Sequence, residues 1–312
     1  MKKVLVGFLI VISILIFVGC SPEKDVSVPE KTIKIGVMPD VESIPFIIAE
    51  KNGYFAQEGV KVKIEHFKSA QDRDSALQSG ELDGVITDIV AVVFANEGGF
   101  DLKIIAKNDG NIELLAGKEA GIKSLGEVKG KDIGLSTNTI MEYTLDKMLE
   151  SAQLTPADIN KAAVPQLPTR LEMLQGGKID GAILPEPLAG LAAENGATVL
   201  NSTDGIDNKA GAIAFTGKSL KENPAAVKAI FRAYNDGVAY LAREPVSDYA
   251  DFIIEAQGFP PNIKGSLQLP QYSRAELPDE KIVSDVVQWM QAKKLIKGSY
   301  DYKDLVDQTV LR

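Results

Sequence analysis

The sequence predicts an α/β protein of two similar lobes, each built on a mainly parallel sheet, with a cleft between them. Three observations carry the prediction. Residues 73–86 (RDSALQSGELDGVI) and 170–183 (RLEMLQGGKIDGAI) read as copies of one another, 97 residues apart. Residues 31–67 run strand, helix, strand, a unit that needs a right-handed crossover and a parallel sheet. Residues 20–312 are enough chain for two modest lobes rather than one small domain. Each copy runs a short helix with one apolar rung, Leu77 or Leu174, and stops at a glycine that tolerates a left-handed backbone. It then enters a strand through Asp-Gly. Two copies this far apart are not a solenoid. Clefts between lobes are where small ligands bind.

The first residues are a targeting segment to be set aside from the fold. Lys2 and Lys3 precede an apolar run over residues 4–18, and Gly19 and Cys20 follow. Residues 1–19 read as a lipoprotein signal peptide, with cleavage before Cys20 and acyl chains (palmitate) on its thiol. An uncleaved anchor is the alternative, because the run is close to the shortest that spans a bilayer. Cys20 is the single cysteine, so no disulfide forms within one molecule. Residues 20–32 are polar, with Pro22 and Pro29, and read as a flexible tether. The formal charge of −9 becomes −11 when Lys2 and Lys3 are removed. There is no basic stripe, so nucleic acid is excluded as a partner. An acidic body is repelled by anionic headgroups. The protein is therefore expected at the extracytoplasmic face of the cell membrane, held there only by the lipid on Cys20.

Residues 31–37 (KTIKIGV) alternate and are rich in β-branched side chains, which predicts a strand. The loop 38–43 leads to a helix with Ser43 as cap, Pro45 in its first turn, Phe46 to Ala49 as buried face and Asn52-Gly53 as stop. A second strand covers residues 60–67. The first repeat copy ends in a strand at 84–87, followed by a helix at 88–96 and a strand at 102–107. Residues 114–117 are expected to cross to the second lobe. There, 124–128 is a short helix and 131–135 a strand. The next helix presents Met141, Leu145, Met148 and Leu149 on one face. The second copy ends at Pro185-Glu186-Pro187. Strands at 198–200 and 212–216 follow, the latter returning to the first lobe, and long helices at 224–243 and 278–293 pack back on it. Lobe 1 is thus residues 33–112 and 205–312, with lobe 2, residues 113–204, inserted in it.

Several of these stretches resemble a known group. They are Gly36-Val37-Met38-Pro39, Lys51-Asn52-Gly53-Tyr54-Phe55, Glu58-Gly59-Val60-Lys61-Val62, the run 76–84 (ALQSGELDG), and Pro185-Glu186-Pro187. Together they are similar to the substrate-binding proteins of bacterial ABC importers. The branch is the one that handles sulfonates, taurine, nitrate and thiamine-pyrimidine precursors, the NMT1/THI5-like group. The resemblance covers residues 33–241. It implies a type II periplasmic-binding fold and a monomer that binds a small-molecule solute without a cofactor. It further implies an ABC permease with its ATPase as partners, and binding rather than catalysis. Rival readings are an enzyme on the same fold, of the menaquinone-route type, and a ligand-sensing partner of a membrane receptor. The export signal speaks against the enzyme.

In an open α/β sheet, ligands sit beyond the carboxyl ends of the strands. That rule selects Met38, Asp40 and Ser43 in the first loop, Thr87 and Asp88 in the second, Ser136, Thr137, Asn138 and Thr139 in the third, and Glu186 in the fourth. The loop 136–139 joins hydroxyl and amide donors to a helix start and suits an anion. It also caps that helix, since Thr139 with Glu142 spells a capping box. Asp40, Glu42, Asp88 and Glu186 would repel a simple dianion and favour an amine or amidine. Asp88 and Glu186 can equally serve as helix caps. Asp83 and Asp180 are placed to pair with Arg73 and Arg170 as part of the repeat. The lone His66 and the helix-face Trp289 read as structural, and Tyr272 is left open as a cleft wall. No Cys/His cluster and no phosphate loop exist, so no metal site is expected.

Overall fold

The computed structural model describes residues 31–265 and 267–312. The signal peptide, Cys20 and the tether up to residue 30 lie outside the described residues. In the first sheet, β1 (Ile33–Val37) pairs in parallel with β2 (Val62–His66) and β3 (Gly84–Asp88). Antiparallel to β3 and to β4 (Leu102–Lys107) lies β10 (Gly211–Thr216), completing the order β2-β1-β3-β10-β4. The second sheet repeats this plan. It contains β5 (Ile112–Ala116), β6 (Asp132–Leu135), β7 (Asn160–Ala163), β8 (Gly181–Pro185) and β9 (Thr198–Ser202), in the order β7-β6-β8-β5-β9.

Each sheet is mainly parallel, as expected: four of its five strands run one way and a single strand, β10 or β5, runs against them. The odd strand's direction follows from where it enters. Ile112 of β5 pairs with Pro185 at the carboxyl end of β8, and Gly211 of β10 pairs with Asp88 at the carboxyl end of β3. Both strands arrive from the opposite sheet, so they start at the cleft edge and run against their neighbours.

The repeat in the sequence is a repeat in packing. Ile35 sits beside Gly84, and Ile133 beside Gly181. The Arg73 guanidinium donates from Nη1 to the Ile86 carbonyl at 2.9 Å, and Arg170 donates to that of Ile183 at 2.7 Å. Gly36 is pressed by Leu82 and Arg73, and Gly134 by Ile179 and Arg170, so a side chain at either glycine would strike Leu82 or Ile179 and crowd the arginine stem. The aspartates play a different part from the one expected. Asp83 accepts from Lys31, the Lys34 N–H and Ser219, and Asp180 from the Asp132 N–H. The arginines lie over strand carbonyls instead.

Helices close both faces. They are α1 (Ile44–Lys51), α2 (Tyr54–Gln57), α3 (Ala70–Gln78), α4 (Ile89–Glu97), α5 (Ile140–Ser151), α6 (Leu167–Gln175), α7 (Leu188–Glu194), α8 (Gly217–Glu222), α9 (Pro224–Arg243), α10 (Ala250–Gln257), α11 (Glu280–Ala292) and α12 (Tyr302–Leu305). Phe46 of α1 and Phe231 and Tyr234 of α9 cover one face of the first sheet. Val90 of α4 with Val286 and Met290 of α11 cover the other. On the second sheet, Leu145 and Met148 pack against Ile133 and Ile183. The long C-terminal helices thus return to the first sheet as expected. The short α10 does not: Ile253 and Ile254, with Tyr249 and Phe259, pack among Leu171 and Leu188 of the second sheet's helices.

Two further contacts tie the halves together. Tyr143 of α5 is fully buried in the first sheet's core, and its hydroxyl donates to Asp285 at 2.6 Å. Beside it, Lys161 and Lys293 both bind Glu142 and Asp146, at 2.7–3.0 Å. Trp289 is only partly buried, and its Nε1 donates to Asp146 at 3.0 Å.

Candidate functional site

The carboxyl ends of the two sheets face each other, and the chain passes between them at residues 108–111 and 203–210, earlier than the crossing expected at 114–117. Between them is a narrow slot. Its polar lining is Asp40, Glu42, Arg73, Thr87, Asp88, Ser136 and Thr139, and its apolar lining includes Met38, Ile112, Met141, Pro165 and Leu167. The free space is about 40 Å³, room for one or two waters. A wider mouth of about 610 Å³ opens beside it, lined by Gln71, Asp74, Gln78, Phe94, Thr137 and Asn138 among others.

Of the ten residues selected from sequence, Met38, Asp40, Thr87, Asp88, Ser136 and Thr139 come together in the slot. Thr137 and Asn138 lie exposed at the mouth. Ser43 and Glu186 reach neither. Ser43 stands at the N-terminus of α1 without capping it. Its hydroxyl faces Asp40, and the Gln257 amide donates to it. The Glu186 carboxylate accepts from the Gly190 N–H at 3.0 Å, the helix-capping role foreseen as its alternative. Asp88 does both jobs: it caps α4 through the Ala91 N–H at 2.9 Å and lines the slot.

The loop 136–139 is more self-contained than its composition suggests. Thr139 accepts from the Met141 N–H and donates to the Ser136 carbonyl, while Ser136 accepts from Arg170. Glu142 accepts from the Asn138 N–H rather than from Thr139, so the expected capping box is not formed. The Ser136 and Thr139 hydroxyls are thus already engaged, which leaves the exposed Thr137 hydroxyl at the mouth.

The charge balance of the slot is acidic. Asp40 is buried, which pushes its carboxyl up to about 7 against the pull of Arg73. Burial likewise raises Asp88 to about 6, again opposed by Arg73. Glu42 is raised well above the usual carboxylate range by burial and then by Asp40 and Asp88. Arg73 is the one cation among these lining residues, and it is shared with Asp74 at 2.8–2.9 Å. The Thr87 hydroxyl is buried without a hydrogen-bond partner. A buried hydroxyl left unpaired is costly. Among the described residues, no group of carboxylates or histidines is placed to hold a metal ion.

Sequence reasoning missed the role of Arg73 and the apolar walls at Ile112, Met141 and Leu167. Arg73 sits on α3, and the strand-end rule does not see a helix side chain that reaches back over a strand end. The repeat was the available signal, because Arg73 and Arg170 occupy the same place in the two copies.

The model of the NMT1/THI5-like family matches residues 40–247. A Brachyspira hyodysenteriae protein named as an ABC transporter periplasmic binding protein is 24% identical over 216 residues, 64% of this chain and 62% of that protein. The chain thus spans just under two thirds of that relative's length. A 4-amino-5-hydroxymethyl-2-methylpyrimidine phosphate synthase of Saccharomyces cerevisiae is 25% identical over 266 residues, 78% of this chain and 75% of that protein. The periplasmic aliphatic sulphonate binding protein SsuA of Escherichia coli has the same fold, with a TM-score of 0.75 at 16% identity over 89% of this chain and 92% of that one.

Proposed function

We propose that this chain, which belongs to the NMT1/THI5-like family, captures a small amine-bearing organic molecule between its lobes and hands it to an ABC permease driven by its ATPase. The observation that carries the ligand class is the slot lining. Three carboxyl groups, Asp40, Glu42 and Asp88, face one arginine there, with the Thr87 hydroxyl unpaired. An added sulfonate would meet mostly negative charge, whereas an amine or an aminopyrimidine finds acceptors. A carboxyl able to hold a proton near neutral pH can also donate to a ring nitrogen while its neighbour accepts from the amino group. The Brachyspira relative's name supports the import role. The yeast relative's name supports both the pyrimidine class and a second reading, a synthase on this fold.

On this reading residues 33–112 and 205–312 form one lobe and 113–204 the other. The crossings at 108–111 and 203–210 act as the hinge, and the division of strands between two sheets favours it. A slot of about 40 Å³ admits a solute only when the lobes part. Two acyl chains on Cys20 hold the monomer at the outer face of the membrane. Replacing Cys20 with Ala should then release soluble or unprocessed protein, and wild-type protein that takes up no labelled fatty acid would rule the anchor out.

The ligand class is tested by titrating the protein with 4-amino-5-hydroxymethyl-2-methylpyrimidine and with ethanesulfonate. The amine should bind, and Asp88→Asn should weaken it about tenfold or more, because a charge-assisted hydrogen bond is lost while the helix cap is kept. Ethanesulfonate binding that is unchanged or tighter in Asp88→Asn, with no binding of the amine, would reverse the assignment. Turnover of a pyrimidine precursor by the pure protein would favour the synthase.

A further inference from the structure

Among the slot carboxylates, Glu42 is held differently from the others. Asp40 accepts from the Glu42 N–H, and Asp88 from the Ala91 N–H, but no backbone hydrogen bond fixes the Glu42 carboxylate. It rests instead on Gly110, in the first crossing between the sheets. A Cβ at Gly110 would lie 1.9 Å from Oε1 of Glu42 and 2.5 Å from its Cγ and Cδ. Gly211, the first residue of β10, is a second such seat, for a side chain of the same crossing. A Cβ at Gly211 would lie 2.0 Å from Oδ1 of Asn108, whose amide donates to the Thr87 carbonyl at 3.1 Å and whose Oδ1 accepts from the Gly110 N–H at 3.3 Å. The loop that carries Glu42 and the start of the first crossing are held by one C-terminal segment, since the Ser273 N–H donates to Asp109 at 2.7 Å beside Tyr272. The Gln257 amide donates to the Asp40 carbonyl at 2.8 Å, and the Tyr272 hydroxyl to that of Val41 at 2.7 Å.

We infer that Gly110 is a positioning residue for Glu42: its bare backbone is the seat that turns this carboxylate into the slot when the lobes are closed. The inference rests on the amine-binding reading of the same slot. Asn108 and Asp109 are held to the first lobe by the Thr87 carbonyl and by Ser273, so opening turns the chain at Gly110 and Asn111 and shifts Gly110 against the Glu42 loop that Tyr272 holds. The seat then exists only in the closed form. Closure and recognition of the amino group become one event, because the carboxylate that reads the amine is aimed by the hinge itself.

The experiment compares Gly110→Ala, Glu42→Ala and the double variant. The probes are 4-amino-5-hydroxymethyl-2-methylpyrimidine and the same pyrimidine without its amino group, titrated by calorimetry. Wild type should prefer the amino compound. Gly110→Ala should cut that preference about tenfold, the size of one lost hydrogen bond, and the double variant should be no worse than Glu42→Ala alone. A full preference kept in Gly110→Ala, or losses that multiply in the double variant, would overturn the inference. Should wild type show no preference, the amine reading fails on its own account, and the seat is judged by thermal unfolding without ligand. A drop of about 2–6 °C in Gly110→Ala that vanishes in the Glu42→Ala background supports the seat. The same drop in both backgrounds overturns it.

Discussion

Replacing Thr87 with Val separates stability from binding at one atom. Thr87 is 3% exposed, lines the slot, and its hydroxyl has no partner. Its backbone is fixed within the first sheet, opposite Ala212 and under the Asn108 amide, so the side chain has little freedom to turn away. A buried hydroxyl without a partner costs about 1–3 kcal/mol. Water in the slot relieves part of that, so a methyl in the same place should leave the free protein as stable as wild type or up to about 1 kcal/mol more stable. With solute bound, the hydroxyl gains a partner that Val cannot offer. The loss is one neutral hydrogen bond, about 0.5–1.5 kcal/mol, or roughly two- to tenfold in affinity. Urea unfolding of the ligand-free protein gives the first quantity, and calorimetry with 4-amino-5-hydroxymethyl-2-methylpyrimidine the second. A variant less stable by 1 kcal/mol or more with unchanged affinity would refute the reasoning, because Thr87 would then be structural and not a ligand contact.

Other expectations follow from the same contacts. Folding raises Asp40 to about 7 and Asp88 to about 6, so the folded chain holds their protons more tightly than the unfolded chain. Their contribution is full below the unfolded value of 3.8 and is lost progressively as pH rises through 6 to 7, so the ligand-free protein should unfold at lower urea at pH 8 than at pH 5. His66, lowered by burial, opposes this trend below pH 6.5, and Glu142, held near 2, matters only in stronger acid. Asp40→Asn with Asp88→Asn should lessen the slope, leaving the part carried by Glu42 and by Glu186, which burial pushes up to about 7, and an unchanged slope would sink the assignment. Lys293→Met removes one of two cations from Glu142 and Asp146, across the contact between α5 and α11. Because Lys161 remains and Lys293 is partly exposed, the cost should be about 1 kcal/mol, with a larger radius of gyration by X-ray scattering as the lobes part. Arg170→Met strips donors from the buried Val164 and Ile183 carbonyls and should cost about 3 kcal/mol or more in urea unfolding.

The architecture was legible because the repeat is long and its chemistry is specific. Arginine, glycine stop and Asp-Gly recur together, and all serve one packing unit. The direction of β5 and β10 was not legible, because a strand's apolar pattern is the same whichever way it runs. The site was read through the strand-end rule, which found Asp40, Thr87, Asp88, Ser136 and Thr139 in the slot. It also selected Ser43 and Glu186, where side chains in the right loops point to Gln257 and to the Gly190 N–H. Such choices depend on rotamers and on distant partners: Gln257 lies 214 residues from Ser43. The α10 bridge was invisible for the same reason, since an apolar helix face does not say which sheet it covers.

The central claim is that an amine-bearing solute occupies the slot between the lobes. Native mass spectrometry of protein purified without refolding reads the occupant directly. Wild-type protein should carry a small molecule whose fragmentation shows an amino group, and Asp40→Asn with Asp88→Asn should be recovered without it. A bound sulfonate or other anion lacking an amine, retained by the double variant, would contradict the account.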